Sequence, residues 1–197
     1  PEEHGGTGEG CLGLCLAIEQ IARVCAGVCT TFAATALGAM PILVAGSEQQ
    51  KRKYLPAVAS GSALAAFGLT EANAGSDAGA IETTALSDGD CYVLNGRKQW
   101  ITNAGEADIY TIFAMTDKNR GSRGATAILV EKGTPGMSFG RTENKMGIRA
   151  SLQREIFFED CRVPKENVLG REGMGFVIAM KTLDKTRPGI GAQAVGL

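Results

Sequence analysis

The stretch at residues 67–77, FGLTEANAGSD, places hydroxyl groups and a glycine just after a short apolar run. Thr70 and Ser76 each offer one hydrogen-bond donor and two acceptor lone pairs. Gly75 allows a close backbone approach or a positive φ. Exposed backbone N–H groups in such a turn can hold an anion, although an ordinary turn at the end of a strand has the same composition.

A second stretch, residues 91–103, reads CYVLNGRKQWITN and adds an aromatic ring. Asn95 and Gly96 stand between two β-prone runs, a pattern that predicts a hairpin with a type I′ turn. Trp100 and Thr102 are two residues apart, so in a strand they point to the same face. An indole beside a hydroxyl could form a wall for a flat heteroaromatic ring, and a core tryptophan is the alternative interpretation.

Together the two stretches resemble the acyl-CoA dehydrogenase family. The family pattern LTEP-x-AGSD followed by Y-x-LNG-x-K-x-WITN appears here as LTEANAGSD and YVLNGRKQWITN. Residues 157–170 (FFEDCRVPKENVLG) and 183–197 (LDKTRPGIGAQAVGL) resemble two further family segments. Ala72 stands where the family usually has proline, and its absence leaves that turn less constrained.

The resemblance implies an oxidoreductase of fatty acid metabolism (β-oxidation), a flavoprotein that uses FAD. Such an enzyme converts a fatty acyl-CoA thioester to the trans-2-enoyl-CoA, with hydride transfer to flavin N5 and re-oxidation by an electron-transfer flavoprotein. It also implies a homotetramer for the full-length protein. An acyl-CoA oxidase-like flavoenzyme and a non-catalytic flavin- or acyl-CoA-binding module without a base are the alternatives.

Matched motif by motif, the resemblance assigns seven cofactor-binding residues: Phe67, Leu69, Thr70, Ser76, Trp100, Ile101 and Thr102. Ser76, Asp184 and Arg187 are assigned to the substrate, and a surface ion pair is the alternative for the last two, which share a helix face. No catalytic base is assigned, because the family's usual Tyr-Glu-Gly motif is absent and Thr186 cannot act as a carboxylate. Glu71 is expected to make structural hydrogen bonds.

Composition narrows the partners. A net charge of −1 argues against a nucleic-acid surface or a polybasic membrane anchor, and we expect no apolar run long enough to span a bilayer.

His4 is predicted to be a solvated loop residue, and the near absence of histidine argues against a metal site. Cys11, Cys15, Cys25 and Cys29 are interpreted as core-packing residues along a helix stripe. Free thiols indicate a reducing compartment, and the resemblance implies bacterial cytoplasm or mitochondrial matrix.

The hydrophobic periodicity predicts helices at 11–24 and 25–37, a break at Pro41 and Gly46, a third helix that begins with a Ser47–Gln50 capping box, and another helix after Gly173. Eight strands are predicted at 63–69, 82–86, 91–94, 97–102, 108–115, 125–130, 137–141 and 152–159. The resulting fold class is α+β. It consists of an N-terminal helical segment (1–61) and a middle antiparallel β-sandwich or barrel domain (62–170). The resemblance implies that residues 171–197 start a C-terminal helical bundle, as in acyl-CoA dehydrogenases.

Overall fold

A computed structural model describes the whole chain, residues 1–197. Three helices come first, then seven strands, then a long helix. The helices are α1 (Gly10–Val24), α2 (Ala26–Ala45), α3 (Glu48–Ala59) and α4 (Gly175–Gly196). The strands are β1 (Ala65–Gly68), β2 (Thr84–Asp88), β3 (Cys91–Thr102), β4 (Ile109–Met115), β5 (Ala125–Glu131), β6 (Met137–Phe139) and β7 (Gln153–Pro164). The predicted order of helices, sheet and final helix is confirmed.

The strands form one mixed sheet in the order β1-β4-β2-β3-β7-β6, with β5 paired to β4. Most neighbouring strands are antiparallel, but β1 runs parallel to β4, with Ala65 opposite Ile109. The prediction of a purely antiparallel sheet is therefore wrong. Alternate residues of β4 enter different cores, since side chains alternate across a strand. Phe113 packs with the helices, whereas Ile112 packs between the strands.

The predicted hairpin at Asn95-Gly96 is wrong, because residues 91–102 form one continuous strand. The pairing of β3 with β7 instead shifts register between Leu94 and Gly96. Gly96 has φ 144°, and a Cβ there would lie 2.7 Å from the Cα of Thr83. The Asn95 amide and Asp160 exchange two hydrogen bonds of 2.9 and 3.1 Å across this irregularity. The glycine therefore marks a bulge and a close approach, which is the usual meaning of glycine inside a strand.

Helix α2 runs through Pro41, where a break was expected, and ends before Gly46. By length and composition it could cross a membrane, with a mean hydropathy of 1.8, so the expectation of no such run was wrong. The structure packs this helix against the sheet at Gly38, whose carbonyl oxygen accepts a 3.0 Å hydrogen bond from Thr111 Oγ1. Tertiary packing thus outweighs the local helix-breaking preference of proline.

Three local expectations have mixed outcomes. The Ser47–Gln50 capping box is present, with both of its hydrogen bonds formed. His4, predicted to be solvated, is buried, because a 3₁₀ turn at Glu2–His4 folds onto α3. The cysteine stripe is divided between two helices, since α1 ends at Val24; Cys29 is buried but Cys11 is exposed.

The contact at Gly38 predicts a sharp difference between two helix glycines. A Cβ on Gly38 would lie 2.5 Å from the nitrogen of Ala66, whereas a Cβ on Gly191 in α4 meets nothing within 4 Å. Gly38→Ala should lower the free energy of unfolding by about 1–3 kcal/mol through overpacking. Gly191→Ala should raise it by up to about 1 kcal/mol, because alanine favours the helix. Denaturant unfolding followed by circular dichroism compares them, and equal shifts in one direction would contradict the packing argument.

Candidate functional site

A cavity of about 810 Å³ lies where the end of β1, the turn after it and the end of β3 face α2 and α4. It brings together all seven residues that the sequence assigned to the cofactor, together with Arg187. The rest of its lining is formed by Ala34, Leu37, Gly75, Asp77, Ala78, Gly79, Ala80, Ser122, Phe176, Met180 and Leu183. Apolar and hydroxyl side chains thus meet in one place.

Trp100 occupies an unusual backbone position in this cavity. It has φ 57° and lies within a register shift of β3 between Lys98 and Ile101. A positive φ at a bulky residue is strained, and it persists only where the surroundings enforce it. The indole is 56% exposed, whereas Ile101 is buried. The bulge therefore turns the largest apolar side chain of the strand outwards, into the cavity.

Thr102 lies at the end of β3, and its hydroxyl oxygen accepts a 3.0 Å hydrogen bond from Gln153 Nε2. The same amide nitrogen donates to Ser151 Oγ at 2.8 Å. Because Thr102 accepts from Gln153, its own hydroxyl hydrogen remains free to donate into the cavity. Sequence reasoning did not single out Gln153, since a glutamine on a neighbouring strand carries no local signal.

The turn after β1 is closed by backbone hydrogen bonds. Glu71 and Ala74 exchange two of them, at 3.1 and 3.2 Å. Further along, Asp77 Oδ1 accepts from the Gly79 N–H at 3.2 Å. Gly75 does not have a positive φ, and a Cβ on it would meet nothing within 4 Å. The chain itself therefore leaves room at Gly75 for a ligand to approach the backbone.

Beneath this turn lies a buried ion pair between Glu71 and Lys98, whose Oε1 and Nζ atoms are 2.6 Å apart. Glu71 also accepts from the backbone N–H groups of Glu82 (2.6 Å) and Thr83 (3.1 Å), so its expected structural role is observed. Lys98 is fully buried, and sequence reasoning missed it because lysine side chains are ordinarily exposed.

The two charged groups of the pair are tuned differently. Burial alone would raise the pKa of Glu71, but the charge and hydrogen bond of Lys98, with the N–H groups of Thr83 and Glu82, hold that pKa below its ordinary value of 4.5. Burial lowers the pKa of Lys98 to about 8, against the opposing attraction of Glu71. Each group is thus held in place by the charge of the other.

Of the two helix residues assigned to the substrate, Asp184 and Arg187, only one reaches the cavity. Arg187 lines the cavity, but Asp184 does not. Their side chains are exposed and form a 3.5 Å ion pair on the helix surface, as in the alternative interpretation of the sequence. Asp77 is the only carboxylate that lines the cavity, and its engagement with Gly79 makes it part of the turn.

A smaller cavity of about 220 Å³ adjoins the first between α1, α2 and α4. The two share Ala34, Leu37, Thr102, Leu183 and Arg187. The remaining lining of the smaller cavity is largely apolar and is formed by Leu14, Ile18, Thr30, Ala33, Thr186, Ile190 and Gln193. The site therefore has a wide compartment against the sheet and a narrow one among the helices.

Comparison with known proteins identifies the class to which this arrangement belongs. Residues 1–62 match the family model for the acyl-CoA dehydrogenase N-terminal domain, and residues 66–161 match the model for the acyl-CoA dehydrogenase middle domain. The chain belongs to the acyl-CoA dehydrogenase family.

The similarity to individual relatives extends along the whole chain. A short-chain specific acyl-CoA dehydrogenase of Clostridium acetobutylicum is 50% identical over 197 residues, which are all of this chain and 52% of the relative. The solved butyryl-CoA dehydrogenase of Megasphaera elsdenii superposes with a TM-score of 0.96 at 50% identity and is 52% covered. A chain in a structure described as the electron transferring flavoprotein of Acidaminococcus fermentans gives 0.97 at 53% identity, also 52% covered. The chain therefore spans about half the length of these relatives.

The lowered pKa of Glu71 predicts an acid-sensitive contribution to stability. Because the folded carboxyl has a pKa below 4.5, the unfolded chain takes up the proton first as the pH falls. The stabilisation by the Glu71 carboxylate is complete above pH 4.5. It is lost as the pH falls through the pKa of this carboxyl in the folded protein. Glu71→Gln should lower the free energy of unfolding by about 3–5 kcal/mol at neutral pH, since it leaves a buried charge unpaired. The deficit relative to wild type should shrink below pH 4.5.

Urea unfolding at a series of pH values measures this gap. Glu48→Gln is the matched control, because Glu48 is an exposed glutamate that also pairs with a lysine, Lys51. Solvent screening makes such a pair weak, so the control should show a much smaller deficit than Glu71→Gln at neutral pH. A Glu71→Gln deficit that does not change with pH would contradict the assigned role of the carboxylate.

Proposed function

We propose that the wide cavity binds the isoalloxazine end of FAD and that the protein oxidises a fatty acyl-CoA thioester between its α and β carbons. The observation that carries this proposal is the convergence of a protruding indole, two threonine hydroxyls and an open glycine turn on one cavity. Bound flavin would supply the hydride acceptor, which no side chain can replace.

The residues present fit such a cofactor. Trp100 offers a flat apolar wall with Ile101 next to it at the cavity edge, and Phe67 and Leu69 extend this wall along the end of β1. Thr102 has a hydroxyl hydrogen free to donate towards a ring nitrogen, because Gln153 already donates to its oxygen. Thr70 would bond the ring from the opposite edge. Ser76 and the open backbone at Gly75 would meet a pyrophosphate, since turn N–H groups favour anions.

The narrow compartment suits the acyl chain. It opens from the wide compartment beside Thr102 and Leu183, and its walls are largely apolar, so a hydrocarbon would leave water on entering it. A short straight chain is supported by the small volume of about 220 Å³ and by the names of the short-chain and butyryl-CoA relatives. Arg187 at the shared boundary, with Asp184 beside it and Ser76 across the wide compartment, would contact the polar part of the thioester.

Two features of the reaction are assigned outside these side chains. No carboxylate of this chain stands free in the cavity, so we assign no catalytic base among residues 1–197. An electron-transfer flavoprotein would accept the electrons, a proposal supported by the relative whose structure carries that description. We also propose a homotetramer for the longer protein, in line with the family resemblance.

Anaerobic absorption spectroscopy of the protein made from the complete gene tests the proposal. A flavin band that bleaches on addition of butyryl-CoA is the expected result, and a weaker response to octanoyl-CoA would support the short chain. Absence of a flavin band after reconstitution with FAD would overturn the cofactor assignment. Rapid turnover with oxygen as the only acceptor would favour an acyl-CoA oxidase-like enzyme instead.

The free hydroxyl of Thr102 gives a second prediction. Thr102→Val keeps the shape of the side chain and removes its hydroxyl, which loses the bond accepted from Gln153 and the proposed bond to the cofactor. Loss of the cofactor bond should make FAD bind about 2- to 13-fold more weakly, the equivalent of roughly 0.5–1.5 kcal/mol. Thr84→Val is the control, because Thr84 is a strand threonine that does not line the cavity. Flavin fluorescence titration measures both. Equal affinity in the two variants would contradict a hydrogen bond from Thr102 to the cofactor.

A further inference from the structure

The buried ion pair connects the two segments that form the sheet side of the wide cavity. Glu71 follows Thr70 directly in the turn after β1, and Lys98 precedes Trp100 by two residues in β3. Their charged atoms are 2.6 Å apart, and neither side chain lines the cavity. The pair therefore lies behind the wall and holds residues that form it.

Further hydrogen bonds make this connection specific in geometry. Lys98 Nζ donates to the carbonyl oxygen of Leu69 at 3.2 Å, and the N–H of Gln99 donates to that of Thr70 at 2.9 Å. The other oxygen of the Glu71 carboxylate accepts the N–H of Glu82 at 2.6 Å. Three chain segments are thus fixed to one buried charge pair.

Trp100 depends on this arrangement more than its neighbours do. Its backbone is in the left-handed region, and its side chain makes no hydrogen bond and is more than half exposed. The register of β3 with β7 is interrupted between Lys98 and Ile101, so strand pairing does not hold Trp100 from that side. A strained conformation of this kind persists only when surrounding contacts determine it.

We propose that Glu71 and Lys98 are positioning residues, which set the separation between Thr70 and Trp100 and so the width of the slot that receives a flat ring. The identity of that ring rests on the proposed function, but the positioning of Trp100 does not. Because both charges are buried together, the pair fixes the slot without adding net charge to it.

Replacement of both charged residues distinguishes a pair that only stabilises the fold from a pair that positions Trp100. Buried ion pairs can be replaced by uncharged residues of similar size without loss of stability. The double variant Glu71→Gln/Lys98→Met removes both charges and keeps the approximate volumes. If the pair serves only stability, a folded double variant should retain the site. If it positions Trp100, the site should change while the fold remains.

The chain contains one tryptophan, so its fluorescence reports on Trp100 directly and without any ligand. In the full 197-residue chain, we expect the double variant to keep the wild-type circular dichroism spectrum. Its acrylamide quenching constant should change at least about twofold, and FAD should bind at least about tenfold more weakly, as expected when several hydrogen bonds around a site are lost. The matched control is Asp88→Asn/Arg162→Met, an exposed pair between β2 and β7, which should leave both values unchanged.

Two further outcomes keep the test decisive. If the double variant does not fold, Glu71→Asp replaces it, because it keeps the charge and shortens the side chain by one methylene. A shift in the quenching constant of that variant supports the proposal, and wild-type quenching overturns it. If wild-type protein from the complete gene does not bind FAD, the proposed function fails, but the quenching comparison in the 197-residue chain still decides whether the pair positions Trp100. Wild-type quenching in a folded double variant overturns the positioning role.

Discussion

The ammonium group of Lys98 has no contact with solvent, and this constraint organises the sheet side of the site. Transfer of a charge out of water costs several kcal/mol, so a buried lysine requires a nearby countercharge and further hydrogen-bond acceptors. Glu71 and the carbonyl oxygen of Leu69 meet that requirement. The turn after β1, the approach to β2 and the middle of β3 consequently share one fixed point, and the cavity wall is built from the residues on either side of it.

The helix side of the site depends on close packing rather than charge. Gly38 brings α2 against β1, and the amide of Asn103 contacts Thr35 Oγ1 and the carbonyl oxygen of Ala65, which ties the end of β3 to both elements. Helix α4 packs on α1 and α2. The packing of these elements therefore fixes the distance between the helices and the sheet, independently of the side chains that line the cavity. The two compartments are the space that remains.

The sequence predicted the parts of this fold that depend on local pattern. Helical periodicity, strand alternation and the Ser47–Gln50 capping box are local signals, and the assigned site residues other than Asp184 line one cavity. Asn95-Gly96 misled because the same dipeptide serves a turn or a bulge, and packing against Thr83 decides between them. The burial of Lys98 could not be predicted, since its partner lies 27 residues away in sequence and lysine is ordinarily exposed.

Helix α4 presents Phe176, Met180, Leu183 and Arg187 to the cavity, although Phe176 and Met180 also pack against the core. These positions recur at intervals of three and four residues, which is one face of a helix. Part of the surface of α4 therefore borders the cavity and not other protein atoms. Local opening of a segment requires less free energy where fewer buried apolar contacts hold it. We therefore expect hydrogen exchange along this face of α4 to slow when the proposed ligand fills the cavity.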